Sequence, residues 1–492
     1  MKRTTKLAHR AMLLTGVNLL LRFAGTVFGV YLSRRIGEQG LGLLQLTMSV
    51  GSLAMIAGIG GIRTAAMYLT AEELGRRGRR GVNRVLSGCL GYSLVCSAAV
   101  GGLLWVFAPA IARNWIGNIA IIGALRLFSC FLPITCLCAL LTGYFTGENR
   151  IGVLAAVEIG EQIFSMGVTV LCLALWAGSD PERACRSVIF GSAMGSLLTL
   201  SLLGLLYRRE RNPVDASIPI GRRILRAALP LAIADTCKGG LSTLENLMVP
   251  KRLALATADP LGAFGRVTGM VFPVLMFPAC ILFGLSELLI PELARCHCGG
   301  GEKRIAYLLH RSLKLSLLYG VCFGGLLFLG GNALCLRLYS NPEAGNLLRL
   351  FAPLAPMLYC DAITDAMTKG LGQQHMAVRF NILTNILDVI GLYFLLPVWG
   401  LKGYFVSFFL THALNFFLSL RHLLRITGQN LCAYIPLWAL TCAIASVWLC
   451  GKVPEPVLSC AAFVPVFFSS LYLTGVLKGE DLRWLRRFTQ AK

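Results

Sequence analysis

Long apolar segments recur along the whole chain, separated by short polar stretches. Each segment is about 20 residues or longer, the length that an α-helix needs to cross the hydrocarbon core of a bilayer. The pattern therefore predicts an all-α polytopic membrane protein with about fourteen transmembrane helices. We place these at residues 11–33, 42–69, 86–108, 119–145, 152–177, 187–207, 225–249, 261–290, 306–330, 346–370, 378–397, 401–424, 431–450 and 455–477.

The polar breaks divide the first twelve predicted helices into two sets of six. The longest break in the first half contains two prolines, which disfavour a continuous helix. The fourth segment of each half ends in a similar glycine-containing polar turn, TGYFTGENRIGV in one and TKGLGQQHMAV in the other. We therefore predict two lobes related by a pseudo-two-fold axis along the membrane normal. The predicted parts are an N-lobe (1–210), a cytoplasmic linker (211–224), a C-lobe (225–425), and a last part (426–492) with two further helices and a basic cytoplasmic tail.

Composition supports this reading and limits the function classes. The chain has 492 residues, of which 56% are hydrophobic and only 14% are charged. Its mean hydropathy of +0.70 excludes a soluble enzyme with a single anchor. The net charge of +23 is explained better by basic loops on the inner membrane face than by nucleic acid. An even number of helices places both termini on the same side, and the excess of basic residues in the loops on that side predicts that it is the cytoplasm. The first apolar run is too long for a signal peptide.

Signals for metal or covalent chemistry are weak. Most of the 18 cysteines stand alone in apolar segments, where they act as small apolar side chains. The loop motif Cys296-His297-Cys298 has no second cluster to complete a zinc site. We find no nucleophile with a base and no phosphate-binding glycine loop. The sequence therefore predicts neither an enzyme nor a bound cofactor or metal.

Basic residues inside the apolar segments are the main functional signal. A charge at membrane depth is costly and normally faces a protein-lined cavity or a partner. Guanidinium groups bind phosphate through a planar fork, and an ammonium adds a point charge. Such a cavity would attract a diphosphate and repel a cationic drug. The candidate substrate-binding residues are Arg22, Arg63, Lys238 and Arg266. Two alternatives stay open: buried ion pairs that only fix packing, and extension of Arg63 to the inner headgroups.

Acidic and amide residues in the same kind of segment are candidates for ion coupling. Their oxygens could hold Na⁺ or carry a proton, and they could equally neutralise the arginines. The candidates are Asp235, Glu245, Asn385 and Asp388.

Three stretches carry a resemblance to a known family. They read LLLRFAGTVFGVYLSRRIGEQGLGLLQL, LPLAIADTCKGGLSTLENLMVPKRL and FGRVTGMVFPVLMFPACILFGLSELLIPELAR, and GLGQQH follows the tenth segment. The chain resembles the multidrug/oligosaccharidyl-lipid/polysaccharide (MOP) flippase superfamily, in its polysaccharide biosynthesis and stage V sporulation protein B-like branch. The similarity extends over essentially the whole chain.

This resemblance implies a fold like that of multidrug (MATE) transporters and lipid II flippases, with two six-helix lobes around a central cavity. It implies a flippase in the bacterial cytoplasmic membrane. An undecaprenyl-diphosphate-linked oligosaccharide, such as a peptidoglycan precursor or a related envelope glycan, would move to the outer leaflet by alternating access. By motif, Arg22 and Arg266 resemble cavity arginines of the family. Asp235, Asn385 and Asp388 resemble a Na⁺ site, and Glu245 stands where related proteins often have Asp.

Three other functions remain open at this stage. A multidrug or cation antiporter of the same superfamily would depend on intramembrane carboxylates and not on arginines. A membrane glycosyltransferase would usually have a large outer loop or a soluble domain, and no predicted outer loop is long. A non-transporting scaffold of an envelope or sporulation complex would tolerate loss of every cavity charge. Envelope-synthesis enzymes are the candidate protein partners, besides the lipid-linked substrate and the bilayer.

Overall fold

The computed structural model describes residues 2–77, 79–148, 150–177, 180–209, 221–430 and 434–477, and within them the chain is helical and forms no strand. Short π-helical or 3₁₀ segments join some of the α-helices. The α-helices are α1 (Lys2–Ile59), α2 (Ile62–Arg77), α3 (Arg79–Ala110), α4 (Ile122–Gly147), α5 (Ile151–Cys172), α6 (Pro181–Arg209), α7 (Gly221–Leu253), α8 (Pro260–Gly265), α9 (Phe272–Met276), α10 (Ala279–Cys298), α11 (Glu302–Tyr339), α12 (Pro342–Phe351), α13 (Ala355–Gly370), α14 (Gln374–Trp399), α15 (Leu401–Thr427), α16 (Tyr434–Cys450) and α17 (Pro456–Leu473).

The predicted all-α polytopic fold is confirmed, since each of the fourteen predicted segments falls on these helices. Two of the segments share α1, which is broken at Gly37 by a backbone with φ 70° and ψ −177°. Length and hydropathy alone identify ten spanning helices in the described residues, or eleven with one bent pair. The charged helix α7 and the 17-residue α16 are not among the ten, because charge lowers the hydropathy of the first and the second is short.

The eighth predicted segment is a broken helix. Its two halves, Pro260–Met276 and Ala279–His297, meet at an angle of 62°. Pro278 lies at the bend, where its missing N–H and its ring interrupt the helical hydrogen bonds. A π-helical turn, Arg266–Val271, lies within the first half. Such turns are frequent at functional sites.

One compact unit comprises Met1–Gly269 and Leu392–Gly400. Its core lies between α2, α3, α4 and α6, where Ile62, Leu86, Phe145 and Leu203 are fully buried. Ile62 and Leu69 lie seven residues apart on α2, so both face this core.

The second unit comprises Met270–Gly391 and Leu401–Lys492, and α11 is its central helix. Glycines on α11 permit close packing on two sides. A Cβ atom at Gly320 would lie 2.6 Å from Pro356 Cα, and one at Gly325 would lie 2.3 Å from Phe463 Cζ. Small residues of this kind let membrane helices approach closely.

The compact units and the predicted lobes have different boundaries. The first unit extends to Gly269 because α7 and α8 both pack on α1. The predicted linker (211–224) falls largely outside the described residues, and residues 431–433 before α16 and the predicted basic tail after residue 477 also lie outside them. The division into lobes at the linker stays a prediction.

Candidate functional site

Three of the four predicted substrate-binding cations are exposed on helices of the first unit. Arg22 lies on α1, Arg63 on α2 and Lys238 on α7. Arg63 interacts electrostatically with Glu158 of α5. Because hydrocarbon does not solvate a charge, an exposed cation at membrane depth must face a water-filled cavity or reach the headgroups.

The contact between α7 and the second half of α1 sets the depth of Lys238. Thr243 Oγ1 donates a hydrogen bond to the carbonyl of Ser49 (3.1 Å), and Asn246 Nδ2 donates to Ser49 Oγ (3.1 Å). One turn earlier on α7, a Cβ atom at Gly239 would lie 3.0 Å from Ile56 Cδ1. Lys238 therefore lies near the level of Ile56, well inside the second predicted segment.

The fourth cation, Arg266, is half-buried and forms an ion pair with Glu38. A second contact lies beside it, since Gln39 Nε2 donates to Asp259 Oδ1 (3.2 Å). Glu38 and Gln39 directly follow the break at Gly37, so the two contacts join the turn within α1 to the two ends of α8. We call this the α1–α8 contact. In the conformation described, the guanidinium of Arg266 is engaged by a carboxylate of the protein.

A second ion-pair cluster lies at the start of α7. Arg223 Nη1 lies 2.7 Å from Glu73 Oε1, and Nη2 lies 2.9 Å from Glu72 Oε2. Hydrogen bonding to Glu73 raises the pKa of Arg223, although burial opposes the rise. The side chain of Glu73 is only 2% exposed. A buried carboxylate needs such a partner, so this cluster fixes the start of α7 against α2.

Replacing Glu73 by glutamine should destabilise the protein by about 1–2 kcal/mol, because it leaves the Arg223 guanidinium with a neutral partner in a half-buried site. The measurement is the thermal unfolding temperature of the purified protein in detergent. Glu72→Gln is the matched control, since the side chain of Glu72 is more exposed. Its unfolding temperature should fall less, and equal falls for the two variants would contradict the dominant role of Glu73.

The predicted ion-coupling residues lie on two helices. Asp235 is exposed one turn before Lys238 on α7, and Glu245 is half-buried further along the same helix. Asn385 and Asp388 lie three residues apart on α14 in the second unit. Asp388 is buried, and its Oδ1 accepts hydrogen bonds from Ser407 Oγ (2.7 Å) and Thr411 Oγ1 (3.2 Å).

The hydroxyl groups beside Asp388 belong to a polar stripe on α15. Ser407, Thr411 and Asn415 are spaced four residues apart, so they share one face of this helix. Asn415 Nδ2 donates to both carboxylate oxygens of Asp361 on α13, at 3.1 Å each. The stripe thus holds two carboxylates of the second unit at successive levels.

The described residues contain no group of three or more His, Cys, Asp or Glu side chains that could hold a metal ion. Cys298 of the Cys-His-Cys motif has its side chain outside those described. The oxygens around Asp388 are of the type that binds hard monovalent cations.

Residues 7–254 match the family described as "Polysaccharide biosynthesis protein", a match that covers half of the chain. The chain belongs to this family.

Individual relatives have low sequence identity to this chain. Stage V sporulation protein B of Bacillus subtilis (strain 168) is 25% identical over 410 residues, covering 80% of this chain and 78% of the relative. The lipid II flippase MurJ of the same organism is 20% identical over 429 residues, covering 79% and 77%.

Two solved structures show the fold. The lipid II flippase MurJ in an inward closed conformation aligns with a TM-score of 0.72 at 14% identity, over 95% of this chain and 100% of the other. An inward-facing MATE multidrug transporter of the MOP superfamily aligns with a TM-score of 0.67 at 14% identity, over 86% and 100%. The predicted resemblance to this superfamily is confirmed. These two structures are of a flippase and a transporter and not of an enzyme, and they show a multi-pass membrane fold for this chain.

The sequence does not predict several of these partners. Glu38 gives no signal, because it lies between two apolar segments, where a charge is expected in any loop. The same holds for the partners of Arg223. Asn415 gave a usable signal, since it continues the four-residue spacing of Ser407 and Thr411 within an apolar segment. The roles assigned to the eight candidate residues stay predictions.

Proposed function

We propose that this protein is a flippase that moves a polyprenyl-diphosphate-linked oligosaccharide from the inner to the outer leaflet of the bacterial cytoplasmic membrane. The observation that carries the proposal is the exposure of Arg22, Arg63 and Lys238 on long apolar helices of one compact unit. Membership of the polysaccharide biosynthesis family supports a glycan-linked substrate.

The depths of these cations support a common site. The predicted topology reverses the chain at Gly37. Arg22 lies 15 residues before Gly37, and Ile56, which marks the level of Lys238, lies 19 residues after it. At about 1.5 Å per residue these positions are roughly 22 and 28 Å from the turn. Both cations therefore belong at a similar depth, with Arg63 closer to the inner face.

The chemistry of these groups favours a diphosphate. An arginine fork and a lysine ammonium can share the oxygens of two adjacent phosphates, and charge-assisted hydrogen bonds of this kind are about twice as strong as neutral ones. The prenyl chain would remain in lipid while the diphosphate and sugars occupy the polar site. A cationic drug would be repelled by the same groups.

Alternating access requires contacts that open and close at the two faces. The α1–α8 contact, with Glu38 and Arg266, is our candidate for the outer closure. The Arg223 cluster is our candidate for the inner one. In this scheme the diphosphate moves outward from the level of Arg22 and Lys238 to Arg266, where it competes with Glu38 and so weakens the outer closure. Such coupling works only if the substrate binds the two states with different affinity. An inside-negative membrane potential also favours outward release of an anion.

The glycan carried is the finer part of the proposal. We propose lipid II or a related cell-envelope glycan, because one relative is named a lipid II flippase. Another is a sporulation protein, which points to an envelope formed during sporulation. Both termini would lie in the cytoplasm, and envelope-synthesis enzymes would be the partners.

The test of this proposal is a complementation experiment in cells depleted of their own lipid II flippase. The intact protein should restore lipid II to the outer leaflet, measured by its accessibility to an external reagent. Failure by the intact protein, at normal membrane abundance, would overturn lipid II as the substrate. The same assay with a different polyprenyl-diphosphate glycan would then identify the cargo.

Ion coupling is a further part of the proposal. We propose that a Na⁺ or H⁺ drives the cycle, with Asp388 and Asn385 on α14 as one candidate coupling site and Asp235 and Glu245 on α7 as another. Asp388 supports this best, because its carboxylate is buried among hydroxyl groups.

Asp388→Asn should abolish the dependence of transport on an imposed Na⁺ or H⁺ gradient, because the amide keeps the size and hydrogen-bonding capacity of the side chain but cannot carry the charge or proton. Transport in proteoliposomes with and without each gradient is the measurement. Ser407→Ala is the comparison, since it removes one donor and keeps the carboxylate. Gradient dependence that survives in Asp388→Asn would remove Asp388 from the coupling site.

A multidrug or cation antiporter is the second candidate. The structural similarity to MATE multidrug transporters favours it, and the exposed cations of the first unit argue against it.

A further inference from the structure

The second unit contains an apolar cavity that plays no part in the proposed transport site. It has a volume of about 900 Å³. Its lining includes Gly324 and Gly325 of α11, residues of α16 and the prolines around the start of α13. The glycines let α11 pack directly on α13 and α17, and this leaves a groove beside α16.

The groove is open along its apolar wall. Ile444 and Trp448 of α16 line it and are 68% and 64% exposed. In a bilayer this face meets acyl chains and not water. An apolar groove of this size, at the upper end of the range of small-molecule sites, fits a hydrocarbon chain.

Two cations line the groove. Arg349 of α12 packs over the ring of Phe328 at 5.0 Å, and Lys452 after α16 packs over the ring of Trp448 at 3.6 Å. Both side chains are exposed and both line the cavity. In the part of the chain that the structure describes, neither forms an ion pair with a carboxylate. Glu455 follows in the same loop but does not line the cavity.

The position of the cations matches a headgroup region. They lie near the C-terminal end of α16 and within α12, which the predicted topology places on the outer side. Tryptophan is enriched at this level of a membrane, and a lysine or arginine near an anionic lipid surface is favourable. The aromatic contacts hold both charged groups in place above the apolar groove.

We infer that this groove is a binding site for an anionic phospholipid of the outer leaflet, with one acyl chain along α11 and α16 and its phosphate between Arg349 and Lys452. The site is distinct from the proposed transport site, because its cations belong to α12 and to the loop after α16. The two C-terminal helices would thus hold a structural lipid against the second unit.

Native mass spectrometry of the full-length protein tests this inference. The purified protein is titrated with phosphatidylglycerol and with phosphatidylcholine of the same acyl chains. The double variant Arg349→Gln/Lys452→Gln should bind phosphatidylglycerol about 25-fold more weakly, because each cation near an anionic headgroup contributes roughly a factor of five. Its affinity for phosphatidylcholine should change little.

The matched control is Arg421→Gln/Arg425→Gln, which removes two exposed cations from α15 of the same unit. It should retain the affinity for phosphatidylglycerol. Equal loss in both double variants would show a general charge effect and overturn the site, as would no loss in either.

A third variant tests the groove itself. Ala443→Trp fills the cavity and should reduce the binding of both lipids. If a folded Ala443→Trp variant retains its affinity for phosphatidylglycerol, the inferred position of the acyl chain is overturned. Should this variant not fold, the charge variants still decide the question. A polyprenyl diphosphate co-purifying from native membranes in place of phospholipid, and displaced by the same variants, would overturn the phospholipid as occupant.

Discussion

The double variant Arg22→Ala/Lys238→Ala should lose transport of the lipid-linked substrate to background. Each residue is proposed to donate charge-assisted hydrogen bonds to the diphosphate, and such bonds contribute about 1.5–3 kcal/mol each. Loss of both corresponds to a decrease in transport on the order of 10²- to 10⁴-fold. The measurement is the rate at which outer-leaflet lipid II appears in flippase-depleted cells, at equal membrane abundance of the variant.

A charge-matched control separates substrate binding from net charge. Arg421→Gln/Arg425→Gln removes two exposed cations from the second unit and should leave transport near the level of the intact protein. The variant Lys238→Arg, with Arg22 intact, keeps a cation at position 238. It should recover part of the transport rate that the double variant loses. Full transport by Arg22→Ala/Lys238→Ala would refute the role of both residues and support a scaffold or another site.

The same double variant discriminates the second candidate function. A cationic drug is not bound by cationic side chains. Efflux of such a drug by an antiporter should therefore survive the loss of Arg22 and Lys238. It should fail in Asp235→Asn, which removes an exposed carboxylate from α7. That pattern would replace the flippase proposal by the antiporter.

The sequence predicts the helices of this protein well because a membrane imposes one requirement on every span. Backbone groups in hydrocarbon must be satisfied within the segment, so a long apolar run is a helix. This holds even for α7, whose charged residues lower its hydropathy below that of the other spans. The sequence also indicates some of the breaks between helices, because glycine favours positive φ. Gly37, Gly60 and Gly61 take positive φ where the chain turns.

The arrangement of the candidate site could be predicted only in part. Periodicity places Asp235 and Lys238 one turn apart, but it does not specify which helix faces them. The pairing of Arg266 with Glu38 joins residues 228 positions apart in the chain, and no local pattern encodes it. The packing of α7 and α8 on α1 also depends on glycines whose contact partners lie far away along the chain.

Replacing Gly265 by leucine should disrupt the α1–α8 contact more than any other single change at the candidate site. A Cβ atom at Gly265 would lie 2.2 Å from the carbonyl oxygen of Glu38 and 2.7 Å from the amide nitrogen of Gly42. Both are backbone atoms, so no rotamer change relieves the overlap. α8 must move away from α1, which also separates Arg266 from Glu38.

Overpacking of this kind typically costs about 1–3 kcal/mol, and the lost ion pair adds to it. We expect a fall in thermal unfolding temperature and a large loss of folded protein in fluorescence-detected size-exclusion chromatography. Gly29→Leu is the control, because α1 leaves open space at Gly29, with no atom within 4 Å of an added Cβ. Gly42→Leu should reproduce the defect, since its Cβ would lie 2.3 Å from the carbonyl oxygen of Leu261. Equal stability of Gly265→Leu and Gly29→Leu would mean that α1 and α8 are not in close contact in the dominant state of the protein. Arg266 would then be released from Glu38, and its proposed role in outer closure would fail with the contact.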